Sequence, residues 1–503
     1  MLLAELVEAS DLVAGTRSRK VKVAALAEVL RRAGPDEVGP ATAFLSGQLR
    51  QGRVGVGWGL LSAVGVEPAG APTLTVNDVD RAVAALAVLE GAGSTTARVA
   101  LLDDLFGRAT AAEADFLRRL LLGDLRQGAL AALVADGLAA ATGVAPEVVR
   151  RAVMLDGDLS RVATVAVVEG QAGLCAIGLQ VLRPVLPMLA ATATDVRAAV
   201  EACGLSSVEW KLDGARVQAH RDGDVVRLFT RNLNDVTARL PGVVEVMRAL
   251  PARCVVLDGE VLGVGDDERP DLFQDTMSRF GRHDGAGAAL GVWFFDLLHL
   301  DGRDLLDEPL SARAELLDAV VGPLRIPSVV TDDAEVAARF LDGALAAGHE
   351  GVMVKEVSSL YEAGRRGSAW RKVKPVRTLD LVVLAAEWGH GRRRGWLSNL
   401  HLGARGPDDR FVMVGKTFKG LTDEVLTWQT ARLLELEVAR SGIVVEVRPE
   451  LVVEIALDGV LTSDRYPGGV SLRFARVRRY RPDKVPAEAD TIEAVRALRP
   501  GSA

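Results

Sequence analysis

Cysteine is nearly absent from this chain, with Cys175, Cys203 and Cys254 the only three in 503 residues. Their wide separation provides neither the paired spacing of a zinc site nor a disulfide framework, so a reducing, cytoplasmic setting is expected. Long hydrophobic runs are missing too. Charged residues interrupt every apolar stretch well short of a membrane span. Met1-Leu2-Leu3-Ala4-Glu5 shows no basic segment leading into an apolar core, and the expectation is a soluble, intracellular protein. An excess of positive charge is also lacking. The formal net charge is -7, so the total does not announce a nucleic-acid binder.

What the chain does have is local basic clustering. Arg365, Arg366, Arg371, Lys372, Lys374 and Arg377 crowd one stretch, and Arg392, Arg393 and Arg394 follow. Arg473, Arg476, Arg478, Arg479, Arg481 and Lys484 form a third group. Such clusters neutralise phosphates if they face a cleft, and are solvated surface if they do not. Hydrophobic residues make up 49%, ample for packed cores, and the length suggests roughly three domains. Residues 1–185 read as helix after helix, with apolar residues at three- and four-residue spacing, as in Phe116-Leu117-Leu120-Leu121 and Leu130-Leu133-Val134-Leu138. Thr95 or Thr96 is expected to cap one of these helices. Arg118, Arg119 and Arg126 are candidates for phosphate contact or plain helix-surface charges. Pro184 and Pro187 disfavour helix and predict an extended linker. Residues 186–377 mix short strands with helices, an α+β pattern. From 378 to 503, short strands surround one helix, roughly Asp423 to Arg440, which suits a small barrel of the OB kind ending in a tail or short helix.

The stretch Glu209-Trp210-Lys211-Leu212-Asp213-Gly214-Ala215-Arg216 reads as a strand that turns and feeds another. Lys211 then sits at the lip of a sheet, with Gly214 expected to leave room for a ligand. A solvated edge lysine fits the same four residues. Other stretches stand out downstream. Glu260 lies inside the apolar run Val255 to Leu262, where a charge is uncomfortable unless it has work to do; an edge-strand charge is the plainer reading. Phe294 and Phe295 point to opposite faces of a strand, so that one is core and the other free to face a ligand, unless both are core. Lys372 and Lys374 alternate and share a face.

Taken in order, Lys211-Leu212-Asp213-Gly214, Thr230-Arg231-Asn232, Leu257-Asp258-Gly259-Glu260, Phe294-Phe295-Asp296, Glu350-Gly351-Val352-Met353-Val354-Lys355 and Trp370-Arg371-Lys372-Val373-Lys374 resemble the motifs of the ATP-dependent DNA ligases, a family of covalent nucleotidyltransferases. The resemblance runs along nearly the whole chain. It implies a helical DNA-binding domain, an adenylation domain and an OB-fold barrel. It makes Lys211 the nucleophile that carries AMP, with burial and neighbouring cations expected to keep its amine neutral against an ordinary pKa of about 10.4. It gives Arg216, Arg231 and Arg366 phosphate-binding roles, Glu260 the ribose or a metal, and Glu350 a metal, with Mg²⁺ expected beside ATP. Phe295 is expected to stack on adenine, Glu209 to accept from its exocyclic amine, and Lys372 and Lys374 to reach the α-phosphate. In the last basic group, Arg473, Arg476, Asp483 and Lys484 match a motif that swings over ATP; Ala475 and Pro482 depart from its usual pattern. The implied partner is nicked double-stranded DNA, bound by a monomer. Relatives with the same lysine chemistry fit less well. An NAD-dependent ligase is expected to carry a cysteine zinc site, and RNA ligases or capping enzymes usually lack such a helical region. A non-catalytic DNA clamp is hard to reconcile with reactive residue types at every motif position.

Overall fold

The computed structural model describes residues 1–125, 131–263, 290–362, 366–408 and 410–499; Arg126, Arg365 and the side chain of Arg366 lie outside the described residues. Among those described, eleven helices run between Leu3 and Cys175. Their starts are written in the sequence. The Thr110 hydroxyl accepts from the Glu113 amide while the Glu113 carboxylate accepts from the Thr110 amide at 2.8 Å, satisfying two of the helix's unpaired N–H groups. Phe116, Leu117, Leu120 and Leu121, at helical spacing, then fall in one core with residues from Leu3 to Leu174. The cap expected at Thr95 or Thr96 is instead Gly93. Its left-handed backbone (φ 81°) starts the helix Ser94–Gly107 ahead of both threonines.

Two five-stranded sheets follow. In the first, β1 (Leu189–Thr192), β2 (Ser206–Lys211), β8 (Ser328–Thr331), β9 (Gly351–Glu356) and β10 (Arg366–Val373) lie in the order β1-β10-β9-β2-β8, with β1 parallel to β10. In the second, β3 (Ala215–Asp222), β4 (Val225–Thr230), β5 (Cys254–Gly263), β6 (Leu290–Leu300) and the short β7 (Arg303–Asp304) lie in the order β4-β3-β5-β6-β7. The turn Leu212-Asp213-Gly214 is where the chain crosses from one sheet to the other. A side chain at Gly214 would meet the Val261 carbonyl oxygen at 2.3 Å. The glycine there lets two backbones approach, and it also lines the cavity beside Lys211.

The C-terminal strands make a curled seven-stranded sheet plus a β-hairpin, Gly459–Thr462 with Val470–Arg473, around a core of their own from Leu379 to Val495. The helix expected to reach Arg440 spans Asp423–Glu435; Glu437–Ser441 is drawn into the sheet against Val444–Val447, because strand pairing outweighs local helix preference. Ile492–Ala497 is a short terminal helix. No helix among the described residues is long and apolar enough to cross a membrane.

The linker between helices and sheets is fastened by a buried histidine. His220 Nδ1 accepts from the Leu182 amide at 3.1 Å, and Nε2 contacts the Gln218 side-chain oxygen at 2.9 Å. That oxygen also accepts from the Val185 amide at 2.8 Å. The neutral ring with its proton on Nε2 satisfies every partner. Burial, reinforced by His299, lowers the His220 pKa to about 3. Because the unfolded chain has the higher pKa, ~6.5, it takes up the proton first. Stability is therefore whole above that pH and falls as pH drops below it, by up to about 1.4 kcal/mol per pH unit. Thermal melts between pH 7.5 and 5.5 are expected to show this slope, and His220→Gln to flatten it.

Candidate active site

Lys211 ends β2, paired to Gly351 across the ladder, so Glu350 at the mouth of β9 comes beside it. The Glu350 amide donates to the Lys211 carbonyl at 3.1 Å, fixing both backbones, and the Lys211 ammonium is ion-paired with the Glu350 carboxylate. Lys374 donates to the other Glu350 oxygen at 2.6 Å. Burial alone would push the Glu350 carboxyl up, but Lys211 and Lys374 outweigh it and bring the pKa to about 2. Lys211 itself is held above its ordinary range. Burial opposes its charge, and the carboxylates of Glu350, Glu260 and Asp213 more than offset that. This corrects the expectation that neighbouring cations keep the amine neutral, since the immediate neighbours are anions.

The amine opens into a cavity of about 440 Å³, whose lining includes Glu209, Arg216, Arg231, Glu260, Phe295, Glu350, Lys372, Lys374 and Arg473. That volume is in the range of small-molecule sites. Glu260, opposite Arg216 on β5, faces the cavity with no side-chain hydrogen bond or ion pair among the described residues. Burial pushes its carboxyl up to about 7, against the pull of Lys211 and Arg216. Phe295 lines the cavity while Phe294 is fully buried on the other face, as alternation on β6 demands. The Lys355 ammonium lies 4.7 Å from the Phe295 ring centre and 4.2 Å from that of Trp370. Arg231 is exposed at the cavity with no side-chain partner among the described residues.

Two expected residues are more occupied than their sequence context suggests. Glu209 is buried and accepts from Lys355 at 2.5 Å and from Arg325 and Ser207 at 3.1 Å each. Three of its four acceptor positions are thereby used. Arg216 meets Asp258 with two N–H groups, Nε at 2.9 Å from Oδ1, and donates to the Met188 carbonyl at 2.7 Å. Its bidentate edge is spent on a carboxylate and Nη2 also lies 3.4 Å from the Tyr361 hydroxyl, which leaves a single Nη1 proton rather than a fork for a phosphate.

From the barrel, Arg473 donates to both oxygens of Asp213 and lies 4.0 Å from Glu350. Phe474 and Asp458 join the lining, and Asp458 accepts from Lys374 at 3.3 Å. Arg476 contacts Asp458 at 3.7 Å. Asp483 and Lys484 are elsewhere. Asp483 pairs with Arg481, and Lys484 donates to Asp380 at 2.6 Å. Of the four residues expected from the last basic motif, then, Arg473 lines the site, with Arg476 one contact behind. Sequence reading gave no role to Lys355, Asp258 or Arg325. A lysine two residues after Met353 in the apolar run of β9 was the available signal for the first; Arg325 arrives from a distant loop and left none.

With this geometry in hand, comparisons place the chain. Family models described as "DNA ligase N terminus", "ATP dependent DNA ligase domain" and "ATP dependent DNA ligase C terminal region" match residues 66–139, 187–374 and 393–484. A "Probable DNA ligase" of Saccharopolyspora erythraea is 57% identical over 99% of this chain and 98% of its own length. One of Rhodococcus jostii is 55% identical over 100% of both. A solved structure, "Pmar-Lig_Pre.", shares the fold with a TM-score of 0.64 at 20% identity, over 95% of this chain and 99% of that one. A lysine in a nucleotide-sized cavity, the three matched models and the full-length relatives agree: the chain belongs to the ATP-dependent DNA ligase family.

Proposed function

We propose that this ATP-dependent DNA ligase seals nicks in duplex DNA, working as a cytoplasmic monomer through a lysyl-AMP intermediate on Lys211. The observation that carries the reading is the Lys211 amine at a cavity it shares with Phe295, Lys372, Lys374 and two glutamates. Residues 1–185 are assigned to gripping DNA, 186–377 to adenylation and 378–503 to closing over the site. Basic clusters on separate cores would grip phosphates without reading sequence, and binding would weaken with salt.

In the first step the neutral Lys211 amine attacks the α-phosphorus of ATP; the N–P bond forms as the bond to the β-phosphate oxygen breaks, and pyrophosphate leaves. AMP then passes to the 5′-phosphate of the nick, breaking the N–P bond. Finally the 3′-hydroxyl attacks that phosphorus and AMP departs. Before any of this Lys211 must lose its proton. Glu350, the foremost of the carboxylates that hold the proton on Lys211, is shared with Lys374, so a shift that leaves it with Lys374 alone weakens that hold. We assign adenine stacking to Phe295, α-phosphate contact to Lys372 and Lys374, and phosphate contact at the cavity to Arg231. Glu209 keeps one acceptor position for an adenine amine.

Glu260 and Glu350 would hold a divalent cation. Glu260, half-buried and without an ion pair among the described residues, has the chemistry of a carboxyl that gains from one. Mg²⁺ keeps much of its water and takes few protein ligands, so two carboxylates are enough to hold it. When bound, it supplies positive charge against the triphosphate.

The reading is tested by incubating the protein with α-labelled ATP, GTP or NAD and following the label. Label from ATP alone, transferred onto nicked DNA but not nicked RNA, is the expected result. Label from GTP or NAD, or none at all, would overturn it.

A further inference from the structure

A buried tyrosine that no motif singles out ties the nucleotide cavity to the chain segment leading into it. Tyr361 follows β9 and is 1% exposed. Its hydroxyl donates to Asp258 Oδ2 at 2.7 Å, accepts from the Met188 amide at 3.1 Å, and lies 3.4 Å from Arg216 Nη2. Asp258, fully buried on β5, spends its two oxygens on Arg216, and Oδ2 also takes the tyrosine proton. Met188 completes a ring of contacts, because its carbonyl accepts from Arg216 Nη1 at 2.7 Å. One phenol thus holds both the carboxylate that orients Arg216 and the backbone unit that fixes its far nitrogen.

The consequence lies in the plane of the guanidinium. Arg216 Cζ is 5.3 Å from the centre of the Phe295 ring, the aromatic face proposed to take adenine. With four of its five N–H groups committed, Arg216 can offer the cavity one proton in one direction. Remove the hydroxyl of Tyr361 and the buried Asp258 loses a donor, the Met188 amide loses an acceptor, and the arginine's two anchors loosen together. The Tyr361 ring itself is held independently, edge-on to Trp370 at 6.0 Å and beneath the Arg313 guanidinium at 5.9 Å.

We infer that Tyr361 is a positioning residue for nucleotide binding, acting through Asp258 and Arg216 to set the Arg216–Phe295 wall of the cavity. The inference rests on the lysyl-AMP reading and adds a residue to it. Tyr361→Phe keeps the packed ring and deletes only the hydroxyl. It is expected to raise the KM for ATP in self-adenylation about 5- to 10-fold while kcat changes less than about twofold. In an Arg216→Lys background the same substitution is expected to add almost nothing, because the group it acts through is already altered. An unchanged KM, with or without a lowered Tm, would make the tyrosine merely structural and overturn the inference, as would fully additive effects in the double variant. Wild-type protein run alongside separates the two levels: a wild type that takes no label from ATP sinks the ligase reading itself, whereas a labelled wild type indistinguishable from Tyr361→Phe sinks only this inference.

Discussion

Lys211→Ala is expected to take no label from α-labelled ATP and to lose ATP-dependent sealing by a factor on the order of 10⁴ or more, as removal of a covalent nucleophile does. The same variant is expected to seal a nick that already carries 5′-AMP within about tenfold of the wild-type rate, because that step does not need the amine as attacking group. The split follows from the site. Glu350 loses one of its two lysines, but Lys374 remains on its other oxygen at 2.6 Å, so a cation still balances the buried carboxylate. Glu260, Arg231 and Lys372 keep their places on the cavity wall. Gel detection of labelled protein, with sealing measured on ordinary and pre-adenylated nicks, checks both halves. If the pre-adenylated nick is sealed as poorly as the ordinary one, Lys211 is doing something other than carrying AMP.

Arg473→Ala is expected to separate the steps in the same sense through a different cause. The barrel delivers this arginine to Asp213, which burial pushes up and the guanidinium pulls down, and to within 4.0 Å of Glu350. An extra cation at that point can stabilise charge on the departing pyrophosphate, and removing one preorganised charge donor typically costs about 10²- to 10³-fold. Self-adenylation in a single turnover is therefore expected to fall roughly 10²-fold, with sealing of a pre-adenylated nick changed less than about tenfold. Equal losses in both steps would show that Arg473 only supports the fold. Asp483→Ala, on a side chain paired with Arg481 away from the cavity, is the matched control from the same motif.

How far the sequence led depends on the range of the interaction. Lys211, Glu260, Phe295 and Lys372 were legible because each sits on a strand, where period-two alternation says which face a side chain takes. The helical region was legible because threonine caps and three-four spacing are local signals, and it went astray at Gly93, where a left-handed glycine replaced a threonine cap. What local sequence does not reveal at the site is the set of partners far away in the chain. Nothing near Glu209 announces Arg325, nothing near Arg216 announces Tyr361, and nothing near Asp213 announces Arg473. The charge state of Lys211 was misjudged for the same reason. Its electrostatics are set by Glu350, which the β2–β9 ladder brings alongside.

The central claim is that one amine, held protonated by a glutamate in the nucleotide-free protein, becomes the carrier of AMP. Tandem mass spectrometry of the protein after incubation with ATP and Mg²⁺ tests it most directly. A single AMP adduct in acid-labile linkage on Lys211 is predicted. An adduct on Lys372 or Lys374, or on no lysine, would contradict it.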